Sequence, residues 1–342
     1  MYQKYLHGLI LCLCTSTCLA TSNVELYGLM DQGLLWQLHP MPSSNSHFQL
    51  SQGNKMASRF GLKGREEINS GHSVFFDLEG ETHPRHIQPG SIFQRKSFIG
   101  YKNPSLGQFT LGLQSSVGFD IARIFDPSGL IRQKYVIDDL SGSLNGRYGN
   151  KWTQDSLKYT LRTNNLLLLS SYQIANHHTH QPANYAIGMS YKFGDTLLAS
   201  SFSLTDNPKI THRKDKAYIA NAGLTHAMGP TQLKVGFSHS QLGKLPTSPL
   251  RTSQELYQIQ NIGLGFKYQL KHNIDLNTAV YVQKNIRYQH QDMYGYKYVI
   301  GGNYHFSKNT HAYAFMHHAT GSDGGKPINH LTGVSLGVVH RF

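Results

Sequence analysis

Beyond its first twenty residues the sequence contains no cysteine; Cys12, Cys14 and Cys18 are the three it carries. A disulfide framework is thereby excluded, and an exported chain without one must be a large self-supporting domain or a bacterial envelope protein. Long apolar runs are also missing. The longest purely aliphatic stretch, Leu166 to Leu169, is far short of the ~18 residues that a membrane-crossing helix needs. After residue 20 no segment reads as a helix of any kind. Charged residues make up only 15% of the chain, and tryptophan occurs only at Trp36 and Trp152.

What is present points to strands. The chain holds 20 tyrosines, 16 phenylalanines and 33 glycines, a surplus that fits many alternating strands and tight turns. Its opening, "MYQKYLHGLILCLCTSTCLATS", has the layout of a secretory signal: a lysine, an apolar stretch and then small residues ending at Ala20. Cleavage is expected there, leaving residues 21–342 as one domain of roughly 320 residues. The formal charge is +13, and about +12 once Lys4 has gone with the signal. Anionic partners or permeants follow from that balance, whereas export makes nucleic acid a poor candidate.

From Asn23 onward the sequence breaks into segments of about ten residues that alternate in polarity, the weak signature of a membrane barrel. "VELYGLMDQGLLW" is the first, and "SRFGLKGRE" and "HSVFFDLEGE" form a hairpin across "INSG". Further pairs meet at "NPSLG", "TNN", "GD", "AMGP", "KHN" and "SKN". The count reaches about sixteen strands, with connections that are alternately short and long, as when tight periplasmic turns face longer external loops. Tyr101, Phe109, Phe193 and Phe306 lie close to the short turns, where an aromatic girdle meets headgroups. The chain ends on "GVSLGVVHRF", with Val334, Leu336, Val338, His340 and Phe342 on one side of a period of two. A closed barrel requires this last strand to pair with the first, because an open edge in hydrocarbon leaves backbone groups unsatisfied. The expected fold is therefore an all-β, transmembrane antiparallel barrel.

Four stretches carry a family resemblance: "VELYGLMDQGL", "ASRFGLKGREEINSG" followed by "VFFDLEG", "RKSFIGYKNPSLGQFTLG", and the closing "TGVSLGVVHRF". Together they resemble the general porins of β-proteobacteria, sixteen-stranded trimeric diffusion channels. The resemblance implies an integral protein of a Gram-negative outer membrane, set in lipid and lipopolysaccharide, that forms a homotrimer and passes small solutes and anions without a cofactor. Phe342 resembles the terminal aromatic signature that the barrel insertion machinery recognises. By the same resemblance the long segment 117–151 folds into the channel as its constriction, and Arg95 matches the arginine carried just before "FIG". One departure is Leu113, where members commonly have an arginine; a missing wall charge there would weaken anion selectivity.

Periodicity assigns the rest. With Phe60 and Leu62 outward, Arg59, Lys63 and Arg65 share the lumen face; with Val74, Phe76 and Leu78 outward, Asp77, Glu79 and Glu81 point inward. Lys96 stands beside Arg95. The expected constriction sets these wall cations against Asp120, Asp126, Asp138 and Asp139 of the long loop, which also carries Arg123, Arg132, Lys134 and Arg147. A single pair of charges about 10 Å apart in water interacts by only about 0.4 kcal/mol, so selectivity needs several charges acting together. The adjacent Asp138 and Asp139 also invite a catalytic reading, but sequence neighbours usually point apart and outer-membrane hydrolases use smaller barrels, so no enzyme activity is expected. His177, His178 and His180 could bind a metal, as could His83 with His86 or His317 with His318, yet none has the spacing of a structural site. The alternative from another class is a surface receptor or adhesin with a plugged lumen and working external loops.

Overall fold

The computed structural model describes residues 22–38, 47–82, 92–128, 151–176, 181–206, 216–241, 256–287 and 291–342. The expected signal lies outside them. In chain order the elements are β1 (Ser22–Leu38), β2 (His47–Gln52), β3 (Arg59–Asn69), β4 (His72–Glu81), β5 (Lys96–Asn103), β6 (Gly107–Ser115), α1 (Val117–Phe125), β7 (Trp152–Arg162), β8 (Leu166–Gln173) and β9 (Asn184–Phe193). They continue as β10 (Thr196–Asp206), β11 (Lys216–Met228), β12 (Thr231–Gln241), β13 (Leu256–Lys271), β14 (Ile274–Arg287), β15 (Met293–His305), β16 (Thr310–Asp323) and β17 (Lys326–Arg341).

All these strands belong to one 17-stranded sheet, antiparallel throughout; from β3 to β17 each strand pairs with its sequence neighbours, and β1 pairs with β17, β2 and β3. The short connections fall where expected, and the tightest use residues that tolerate positive φ, such as Gly71 at +82° and Gly194 at +55°. Strand β9 shows why the sequence folds this way. Tyr185, Ile187, Met189 and Tyr191 stand exposed on one side, and Ala186 and Ser190 are buried on the other. Across the barrel the large apolar side chains face out while Asp31, Glu79, Lys158 and Asn261 are buried. That is the reverse of a water-soluble protein and the arrangement a bilayer demands. The girdle residues follow it, with Phe193 74% and Phe342 55% exposed.

The sheet closes on itself. One edge of β1 pairs with β17 from Leu29↔Arg341 to Leu38↔Thr332, and Gly28 and Phe342 exchange backbone hydrogen bonds at 2.9 and 3.2 Å. Along its other edge β1 pairs first with β3 and then with β2. Thus β2 and β3 form one interrupted stave, which reconciles seventeen strands with the expectation of about sixteen. The short β2, within the polar stretch before Arg59, was not legible in the sequence pattern.

Residues 53–58 occupy the interruption and turn inward. Buried Asp31 holds them: its carboxylate accepts from the backbone N–H of Lys55 at 3.0 Å and of Met56 at 2.6 Å, and from the Tyr313 hydroxyl at 2.7 Å. Tyr313 reaches Asp31 from β16 by passing over Gly337 of β17, where any β-carbon would collide with its hydroxyl. This contact spans the closing seam.

The expectation that no helix follows residue 20 is corrected by α1. Ser116 caps it, its hydroxyl accepting from the Phe119 N–H at 3.2 Å. Val117, Ile121, Ala122 and Phe125 recur at helical spacing and are fully buried against the inner wall of β8 to β12. The wall receives the helix because Gly188 and Gly223 leave room there; a β-carbon at Gly188 would lie 2.7 Å from Val117, and one at Gly223 would run into the Phe125 ring.

Candidate functional site

Strands β3 and β4, with Arg95 just before β5 and Lys96 at its start, present a charged cluster to the lumen. Glu79, only 3% exposed, is its hub. Arg95 donates to Glu79 through Nε at 2.7 Å and lies 3.4 Å from Glu81; Lys96 lies 2.8 Å from Asp77 and 3.4 Å from Glu79; Arg59 lies 3.5 Å from Glu79. The Tyr27 hydroxyl adds bonds to Asp77 at 2.6 Å and Glu79 at 3.0 Å. Cross-strand pairing explains the assembly, since Arg59 is registered on Glu81 and Glu79 on Lys96. Three cations and three carboxylates therefore share this wall in balance.

Lys63 and Arg65 share its face but lie nearer the short turn, about 13 and 20 Å along the strand from Arg59 at 3.3–3.4 Å per residue. Lys63 pairs with Glu25 at 3.0 Å and stands 5.3 Å over the Tyr27 ring, while Arg65 pairs with Glu67 at 2.7 Å. Both are half exposed, so each pairing contributes little to stability.

Of the four loop carboxylates expected to oppose this wall, the two that are described, Asp120 and Asp126, are engaged elsewhere and do not oppose it. Asp120 is paired with Lys158 of β7, whose ammonium also donates to the Ser115 carbonyl at 2.9 Å. Asp126 is 1% exposed and anchors the end of α1: Tyr281 and Ser128 donate to it, both at 3.0 Å. The neighbouring carbonyl of Ile124 accepts from Thr225 at 2.7 Å. Asp126 thus holds the loop to the far wall and is shielded from a passing ion. Asp138, Asp139, Arg132, Lys134 and Arg147 lie outside the described residues.

What α1 offers the wall is cationic. Arg123 is exposed, and its guanidinium lies 5.8 Å over the Phe119 ring. Among the described residues no carboxylate lies within ion-pair distance of it. Phe119 contacts Trp152 at 5.9 Å, and Trp152 in turn lies 4.5 Å under Arg95, so a chain of rings links helix to wall. Arg95 and Arg123 both lie near enough to Arg59 to repel its charge. Lys151 joins them, 5.6 Å over Phe119. The sequence reading missed Lys158, Trp152 and the exposed position of Arg123; only recognition of α1 by its cap and apolar spacing could have found the last.

Leu113 is registered on Ser97 and stands at a β-bulge between Gly112 and Gln114, where the regular alternation of Phe109 and Leu111 is broken; Thr110 and Gln114 hydrogen-bond there at 2.6 Å. Lys158 supplies a cation to that sector of the wall. His317 and His318 point to opposite faces, His317 buried inward and His318 bonded to Thr332 at 2.8 Å, so the two cannot share a metal. His83, His86, His177, His178 and His180 lie outside the described residues. Among those described, no cluster of three or more His, Cys, Asp or Glu side chains could hold a metal ion. The letters Gly-x-Ser-x-Gly occur at Gly333 to Gly337, but inside β17 with Ser335 fully buried. The nucleophile elbow that this motif marks sits instead on a strand-to-helix turn, with its serine exposed.

Comparison with known proteins agrees with this geometry. The anion-selective porin from Comamonas acidovorans superposes with a TM-score of 0.78 at 16% identity, over 94% of this chain and 100% of that one. The outer-membrane expressed OmpT of Vibrio cholerae superposes at 0.71 with 14% identity, over 94% and 98%. Salmonella typhi OmpF, in its complex with daunomycin, superposes at 0.68 with 14% identity, over 93% and 97%. An outer membrane porin protein of Bordetella pertussis is 23% identical over 239 residues, which span 65% of this chain and 55% of that relative. The family described as Gram-negative porin matches residues 8–324, and the chain belongs to that family, an integral β-barrel of a Gram-negative outer membrane that serves passive transport.

Proposed function

We propose that the barrel is a water-filled diffusion channel for small hydrophilic solutes, with a moderate preference for anions. The carrying observation is the charge of the strait: the wall balances Arg59, Arg95 and Lys96 against Asp77, Glu79 and Glu81, while α1 contributes Arg123, which has no carboxylate within ion-pair distance among the described residues. Asp120 and Asp126 are neutralised or buried. An anion in the strait therefore meets an excess of positive charge within low-dielectric walls, which raises its local concentration. The solved relative from Comamonas acidovorans, an anion-selective porin, supports the same direction. A homotrimer accords with the trimer form of OmpT among the structural relatives. Phe342, at the closing seam, acts as the signature read by the insertion machinery, and its exposed ring meets membrane lipid on the short-turn side.

The test is to reconstitute residues 21–342 in a planar bilayer and measure conductance and reversal potential in a KCl gradient. Stepwise openings in threes with a reversal on the anion side are expected. A folded, heat-modifiable barrel that never conducts would overturn the channel reading, and a reversal on the cation side would overturn the selectivity.

A further inference from the structure

The inturned segment 53–58 brings a second set of cations into the lumen, away from the strait. Lys55 extends from it to the inner faces of β15 and β16. Its ammonium donates to Asn303 Oδ1, lies 3.0 Å from His311 Nε2 and stands 5.9 Å from the Tyr313 ring. Arg341 lies beside it on β17, its guanidinium 3.4 Å from the Met56 sulfur. Its backbone N–H bonds the Asn309 carbonyl at 2.9 Å, which fixes this cluster at the short-turn end of the barrel.

Neither cation has a carboxylate within ion-pair distance among the described residues. The two nearby acids are already engaged. Asp31 accepts from Lys55 N–H, Met56 N–H and Tyr313. Asp275 is held by Asn303, by His305 at 2.7 Å, by Asn277 at 3.0 Å and by Lys267 at 3.5 Å. An ammonium offers three donors and a guanidinium five, and a thioether is a weak acceptor. Donor capacity and positive charge are thus left over at one place, and a small anion supplies what both lack.

We propose that Lys55 and Arg341 form a second anion-binding station on the short-turn side of the strait, occupied in turn by chloride or small oxyanions as they cross. The station rests on the anion-preferring channel reading above. The charged and titratable groups facing Lys55 are Lys267 of β13, Asp275 of β14, His305 of β15, His311 and Tyr313 of β16, Arg341 of β17 and Asp31 of β1.

The experiment compares wild type with Lys55→Gln/Arg341→Gln and with the charge-keeping Lys55→Arg/Arg341→Lys. Each is first checked for heat-modifiable mobility as a closed barrel. Reversal potentials are measured in a KCl gradient, and block of the KCl current by inorganic phosphate is titrated. The glutamine pair should lower the anion-to-cation permeability ratio about threefold, the effect of removing charge close to the ion path, and should weaken phosphate block. The charge-keeping pair should retain both. An unchanged ratio and unchanged block in a folded glutamine pair overturn the station, as does equal loss in the charge-keeping pair, which would mark a packing role. A wild type with no anion preference overturns the channel's selectivity itself, a failure distinct from that of the station.

Discussion

Replacing Phe125 by alanine tests how the loop is held inside the barrel. The ring is fully buried, packed on the backbone of Gly223 at the C-terminal end of α1. Truncating such a phenylalanine costs about 3–5 kcal/mol when the surroundings cannot collapse into the space. Here they cannot, because the neighbouring wall is a continuous hydrogen-bonded ladder through β10, β11 and β12. At about 1.4 kcal/mol per factor of ten, the ratio of docked to undocked helix falls by roughly two to three and a half powers of ten. Val117 and Ile121, with the Tyr281 to Asp126 bond, remain as the weaker anchors. The expected outcome is a folded barrel whose open-channel current becomes noisy and larger on average, with Phe125→Leu intermediate. Single-channel recording in a planar bilayer reads both quantities. A Phe125→Ala channel as quiet and as conductive as wild type would refute the idea that this anchor sets the lumen.

Glu79→Gln should raise anion preference, because the balanced wall then carries a net positive charge; reversal potential measures it, and an unchanged or lowered preference would refute the charge accounting. The same change leaves Arg59, Arg95 and Lys96 without their shared anion and should cost about 3–5 kcal/mol, seen as a lower temperature of heat modification. Tyr313→Phe removes the seam bond to buried Asp31 and should lower that temperature through a loss of about 1.5–3 kcal/mol; a variant as heat-resistant as wild type would contradict the seam role. Phe342→Ala should slow insertion into outer-membrane vesicles supplied with the assembly machinery, and insertion at the wild-type rate would remove the terminal ring from that step.

The barrel was legible because its cause is local and repeated. Alternation along strands such as β9 and β17, together with the short turns, is written in every hairpin, and small errors in one segment do not disturb the rest. Position on the wall was legible for the same reason, and Asp77, Glu79 and Arg59 fall where a period of two puts them. What escaped was whatever depends on contact between distant segments. Helix α1 is stable because Gly188, Gly223 and Tyr281 meet it from three other strands. Its sequence alone is a nine-residue stretch, too short to hold as a helix in isolation. Asp126 looked like a pore carboxylate because nothing local reveals that Tyr281, 155 residues away, will cap it. Segment 53–58 and the role of Lys55 depend likewise on Asp31 and His311.

This difference changes how the channel would select. A positive wall facing a negative loop creates a field across the lumen, but an ion midway feels the two contributions cancel, so orientation matters more than sign. Among the described residues the wall is balanced and Arg123 stands on the loop side, so their contributions at the midline do not cancel. An anion about 5 Å from one such unpaired charge in water gains about 0.8 kcal/mol and a cation loses as much, a difference of roughly tenfold in relative occupancy before screening. Because the Debye length is about 8 Å at physiological salt and about 3 Å at 1 M, that preference must fade as salt rises. A second excess of charge at Lys55 and Arg341 lengthens the path over which the bias acts, so an anion that clears the strait is not immediately returned to it.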